Sequence, residues 1–161
     1  MPAPEGLFQR PAKIISGGQT GVDRAALDAA IELGIPHGGW CPRGRLAEDG
    51  RIAARYELRE SKSPEYPVRT EQNVLEADAT LILCRGAPAG GTGLTRWLAE
   101  RKDRPCLVVD LDCPPEWSAI HRWLQEHCVA VLNIAGPRES QAPGIAQQAR
   151  GFLKHCFGDL P

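Results

Sequence analysis

Two glycine-rich stretches hold the residues best suited to chemistry. Ser16-Gly17-Gly18-Gln19-Thr20-Gly21-Val22-Asp23-Arg24 follows an apolar run over residues 12–15, and Gly90-Gly91-Thr92-Gly93, with Thr95 just beyond, follows another over 79–84. After each stretch the pattern turns helical. Glycines let a backbone turn tightly and approach a ligand without a Cβ in the way. The first-turn N–H groups of a helix have no intrahelical acceptors and carry partial positive charge, so an anion, typically a phosphate, suits them. The first stretch is not a dinucleotide fingerprint, because Gln19 stands at the middle glycine of G-x-G-x-x-G, and no Lys-Ser/Thr pair makes it a P-loop. A third loop, Gly136-Pro137-Arg138-Glu139-Ser140, adds a guanidinium suited to phosphate or carboxylate. In open α/β sheets ligands sit beyond the carboxyl ends of the strands, where strand order reverses. If the strands at 13–15 and 79–84 are neighbours there, Gly17, Gly18, Gln19, Thr20, Gly21, Asp23 and Arg24 face Gly90, Gly91, Thr92, Gly93 and Thr95 across one crevice. Arg138, Glu139 and Ser140 then close its rim.

Other residues have two readings each. Asp23 either caps its helix or contacts a ligand hydroxyl. Thr70 and Asn73 are either helix-start residues or ligand contacts. Trp40, among glycines, either stacks on a flat ring or packs. Arg43, paired with Arg45, either closes over an anion or is solvated. Cys41 and Cys84 fall near strand ends, where inert buried thiols are the commoner case than soft-metal ligands. The histidines show no ligand spacing, and no protein-ligated metal is expected.

The positioning elements come next. Strands are expected at 13–15, near 37–40, and at 79–84, 106–111 and 129–134; helices at 23–33, 70–77, 94–102, 115–127 and 145–157. Most of these strands are continuous apolar runs, as in sheets covered on both faces. Alternation with helices predicts an α/β fold: a doubly wound, mainly parallel sheet with helices on both faces. Residues 41–69 are polar and broken by Gly and Pro, and so long an excursion predicts a mobile lid or binding loop. Residues 1–11 read as a flexible arm and 12–161 as one ligand-binding domain.

A formal net charge of −1 over 161 residues argues against nucleic acid or an anionic membrane as partner. The six cysteines are dispersed without a C-x-x-C pair, which favours a reduced, cytoplasmic setting. A homo-oligomer is left open.

The motifs SGGQTGVDRAALDAAIELGIPHGGWCPRGRLAEDGRI, RTEQNV, TLILCRG, GGTGLT, PCLVVDL and VLNIAGPRES resemble the putative molybdenum carrier family over nearly the whole chain. That family sits in a Rossmann-like superfamily that also contains lysine-decarboxylase-like phosphoribohydrolases. The resemblance implies a Rossmann-like fold and a pocket for a phosphorylated pterin, as in molybdenum cofactor, or a nucleotide. The hydrolases carry P-G-G-x-G-T-x-x-E, whose Glu acts at the glycosidic bond. Here Trp97 falls at the position of that Glu and shares a helical face with Leu94 and Leu98, so it is expected to pack inward. The reading is therefore a binding or carrier protein for a small phosphate-bearing ligand. The alternative is a nucleotide-processing hydrolase using Asp23 or Glu139.

Overall fold

The computed structural model describes residues 8–158. Among the described residues nine strands and five helices follow one another as β1 (Lys13–Ile15), α1 (Val22–Leu33), β2 (His37–Gly38), β3 (Trp40–Cys41), β4 (Leu46–Ala47), β5 (Gly50–Arg51), β6 (Arg59–Glu60), α2 (Tyr66–Glu76), β7 (Ala79–Cys84), α3 (Gly90–Arg101), β8 (Cys106–Asp110), α4 (Trp117–Glu126), β9 (Val131–Ala135) and α5 (Ile145–Phe157). Five strands form a parallel sheet in the order β2-β1-β9-β7-β8. Its helices lie on both faces, as the alternation predicts. Ile14, Leu81, Leu83, Leu132 and Ile134 face α1, α4 and α5, and Val74, Leu98 and Ala99 form a smaller cluster between α2 and α3.

One expectation of topology is corrected. β1 and β7 are not neighbours, because β9 lies between them and pairs with both, Ile14 against Leu132 and Leu81 against Ile134. The order reverses there, so a crevice opens above the end of β9. Asn133 and Thr80 join across the buried face by a 3.2 Å hydrogen bond from Nδ2 to Oγ1.

The excursion after β2 is built, not loose. Leu27, Cys41, Ile52 and Tyr56 make a second buried cluster, and the Tyr56 hydroxyl donates to Asp28 at 2.6 Å. Arg45 donates to the carbonyls of Ile52, Ala53, Tyr56 and Leu58, which uses its guanidinium as a scaffold and not as an anion clamp. Arg43 is exposed beside it. Within it a brief strand at Arg59–Glu60 pairs with Trp40–Cys41.

At the N-terminal side, residues 1–7 of the expected arm lie outside the described residues. Phe8 is packed, its ring stacked 3.5 Å from that of His121, and Arg10 donates to the carbonyl of Leu33.

Candidate functional site

A cavity of about 280 Å³ opens where β9 ends. Its floor is Ala135 and Gly136; α1 contributes Asp23, the loop before it Gln19, and α2 Tyr66, Pro67, Arg69 and Thr70. The remaining walls are Gly91, Thr92, Leu94 and Thr95 of α3, with Arg138 and Gln141 from the loop after β9. Gln19, Asp23, Thr70, Gly91, Thr92, Thr95 and Arg138 thus come together from the three loops and the helix that the sequence singled out. A recess of about 10 Å³ behind Asp23 and Arg69 reaches Gly17 and Asn73.

The two glycine turns differ. α3 begins at Gly90, four residues earlier than the periodicity of its apolar residues implies, so 90–93 are its first turn and no side chain caps it. Gly91 lines the cavity, and a Cβ added there meets nothing within 4 Å. The α1 terminus, by contrast, is closed. The Val22 N–H donates to the Pro137 carbonyl at 3.2 Å, and a Cβ on Gly21 would lie 2.3 Å from that same oxygen. The first glycine turn is therefore spent on docking the loop after β9.

Glu48, which the sequence gave no reason to notice, is the hub of that docking. Its carboxylate accepts from the Thr20 hydroxyl and from the N–H and hydroxyl of Ser140, with Arg138 at 3.8 Å. These hydrogen bonds, Ser140's first, lower its pKa below the usual carboxylate value. Glu139 is equally committed, since its carboxylate accepts from the N–H groups of Gly144 (2.7 Å) and Ala146 (3.0 Å) and so caps α5. Arg24 holds Asp49 through two hydrogen bonds and the Gly18 carbonyl through two more. Thr20, Arg24, Glu139 and Ser140 are loop-to-loop ties.

Three further expectations change. α2 starts at Tyr66, so Thr70 is not a cap; inside the helix its hydroxyl donates to the Tyr66 carbonyl at 2.9 Å. Asn73 clips Trp40 with two bonds, accepting from its N–H at 2.8 Å and donating to its carbonyl at 2.9 Å. The Trp40 ring carries the Arg59 guanidinium at 4.2 Å and does not line the cavity. Cys41 and Cys84 are buried, and desolvation raises both thiol pKa values. Among the described residues no group of three or more His, Cys, Asp or Glu side chains is placed to hold a metal ion.

Trp97 does not pack inward. It is 51% exposed, with the Arg101 guanidinium 5.1 Å from its ring centroid, because α3 buries Thr92, Thr95, Leu98 and Ala99 instead. Trp97→Glu is accordingly expected to shift the unfolding midpoint by no more than about 2 °C, since a carboxylate there can pair with Arg101 one turn on. Circular dichroism melts check this; a loss of cooperative folding would show that the indole has a packing role.

The residue that dominates the cavity is Arg69. Its side chain is 13% exposed and lies 3.6 Å from the carboxylate of Asp23, itself 5% exposed. A Cβ on Gly17 would come within 2.2 Å of the Arg69 guanidinium, so a bare backbone there is what lets that group enter. Arg69 Nε is buried without a hydrogen-bond partner. A buried donor left unmade costs about 1–3 kcal/mol. The backbone of Gln19 and Gly17 and the charges of Arg69 and Arg24 favour the ionised form of Asp23. Desolvation outweighs these partners and raises its pKa above the usual value.

With this geometry in view, the comparisons identify the lineage. A family model described as "Circularly permutated YpsA SLOG family" matches residues 14–157. The chain belongs to that family. In this YpsA-type SLOG chain the match runs from β1 to the end of α5, and so takes in every wall of the cavity. A solved structure described as a putative molybdenum carrier protein from Syntrophus aciditrophicus is 49% identical. The similarity covers 92% of this chain and 96% of that one, at a TM-score of 0.87. Among functionally curated proteins nothing matches. The Rossmann-like fold and the likeness to the molybdenum carrier family stand. No helix among the described residues is long and apolar enough to cross a membrane.

Proposed function

We propose that this chain is a cytoplasmic binding protein, a carrier for a small phosphate-bearing ligand such as the phosphorylated pterin of molybdenum cofactor or a nucleotide. The observation that carries the reading is the buried, incompletely partnered guanidinium of Arg69 on the wall of a cavity with the uncapped start of α3. Arg69, Arg138, Gly91 and Thr92 would hold the phosphate, by charge-assisted hydrogen bonds and backbone N–H groups. Tyr66, Pro67 and Leu94 offer the apolar wall on which a ring would lie. The described relative, a putative molybdenum carrier, supports a ligand of this kind. Any molybdenum would be cargo, brought by the ligand.

The hydrolase alternative keeps one observation in its favour. Asp23 lines the cavity with a raised pKa, as a general acid would. Glu139 is withdrawn into its cap, and Trp97 occupies the place of the hydrolases' Glu.

Mass spectrometry of small molecules retained by the purified protein, with elemental analysis for molybdenum, tests the carrier reading. A phosphorylated heterocycle released in near-stoichiometric amount is the expected result. Free-base release from nucleoside monophosphates at ordinary enzymatic turnover, lost in Asp23→Ala, would replace the carrier with the enzyme.

A further inference from the structure

Among the cavity's lining residues Asp23 is the one carboxylate, and it stands beside the guanidinium that would hold the ligand's anion. A pocket built only to attract negative charge would not place an acid there. An ionised carboxylate has acceptor positions for about four hydrogen bonds. The backbone N–H groups of Gln19 and Gly17 lie on one side of it and Arg69 on another, which leaves acceptor capacity toward the cavity. A phosphate oxygen drawn to Arg69 would be brought against this carboxylate, and like charges at such a distance cannot both stay ionised. A proton shared between them would relieve that repulsion.

We infer that Asp23 is a specificity-determining residue that selects a protonated phosphate: one proton is shared between its carboxylate and a ligand phosphate oxygen, so that isosteric anions without such a proton are rejected. The inference rests on the carrier reading of the same cavity. It names what that reading leaves open, namely which oxyanion is accepted and in which protonation state. The groups facing Asp23 agree with a site whose proton arrives with the ligand. Arg69 of α2 and Arg24 of α1 are permanently charged, Arg138 is the other cation of the lining, and α3 contributes only Gly91, Thr92, Leu94 and Thr95. No histidine lines the cavity. Burial raises the Asp23 pKa, which lowers the cost of sharing a proton in the complex.

The sign of the pH effect follows. A phosphate monoester loses its second proton at a pKa of about 6. Below that pH the ligand brings the proton; above it the complex must take one from solvent, so affinity falls by as much as tenfold per pH unit. Sulfate has no proton to bring. The probes are inorganic phosphate and sulfate, then AMP and adenosine 5′-sulfate, titrated calorimetrically into the full chain between pH 5.5 and 8. Two buffers of different ionisation enthalpy report proton uptake. Expected are a phosphate preference of at least about tenfold at pH 6 and uptake approaching one proton at pH 8. Asp23→Asn, whose amide can donate to either anion, should bring the two within about threefold and flatten or reverse the pH slope. If that variant does not fold, the wild-type anion ratio and proton uptake decide alone. Equal affinity for both anions with no proton uptake overturns the role of Asp23 while leaving the carrier reading intact. Failure of every probe to bind, with no phosphorylated molecule retained on purification, overturns both.

Discussion

Arg69→Met is expected to weaken binding of the retained ligand by at least about 100-fold, and of AMP likewise if a nucleotide is accepted. The change keeps an unbranched chain of similar reach but removes the charge and every donor, and charge-assisted contacts to an anion are the strong ones. The substitution also strands Asp23. Removing one partner of a buried pair costs about 3 kcal/mol, because the other charge is left uncompensated. Asp23 is already raised in pKa, and losing Arg69 raises it further. The folded state then binds a proton more tightly than the unfolded one, so stability falls as pH rises from the unfolded carboxylate value toward the folded one. The variant should thus approach wild-type stability under acid and lose most at neutral pH. Denaturant melts across that range, beside calorimetry, check both halves. Adding Asp23→Asn should restore stability at neutral pH without restoring binding. Recovery of binding in the double variant would remove Arg69 from the site.

Gly91→Val should abolish ligand binding while leaving the fold in place. Gly91 lines the cavity and a Cβ there meets no protein atom within 4 Å, so the branched side chain would occupy space otherwise open to a phosphate at the α3 terminus. The steric argument does not depend on the backbone angle, because the positive φ in this turn belongs to Gly90. β-branching in the first helical turn costs only a few tenths of a kcal/mol relative to other non-glycine residues. Calorimetry beside circular dichroism gives the answer, and unchanged affinity would exclude the α3 terminus from the site.

How far the molecule could be read in advance depended on whether a pattern was local. The strands at 13–15 and 79–84 and the helix at 145–157 fall where apolar runs and 3.6-residue spacing put them. α2 did not show itself at its start, because Tyr66 and Pro67 close a polar, proline-broken segment. Pro67 in fact occupies the first helical turn, where its fixed φ and missing N–H are tolerated. Hiding that start hid Arg69. A helix begun at Tyr66 would have placed Tyr66, Arg69, Thr70 and Asn73 on one face by their spacing of three and four residues. Glu48 had no such signal, since its partner Ser140 is 92 residues away and nothing local marks the pairing. Thr20, Glu139 and Ser140, expected to face a ligand, tie neighbouring loops together. Residue type alone does not distinguish a hydroxyl or carboxylate that meets a ligand from one that meets the neighbouring loop.

The position of β9 has a consequence for how this protein is made. The sheet's middle strand follows its four neighbours in the chain, and until residues 131–135 leave the ribosome β1 and β7 have no shared neighbour to hold them together. Parallel pairings between such distant segments form slowly, because chain closure must precede the contacts that reward it. The nascent chain therefore exposes two half-sheets with unpaired edges, the β1–β2 and β7–β8 pairs, until β9 follows. It gains its cavity floor at Ala135 and Gly136 in the same late step. Termination before β9 would yield an aggregation-prone fragment without the cavity floor, and a ligand present during synthesis can engage only a chain that has passed β9.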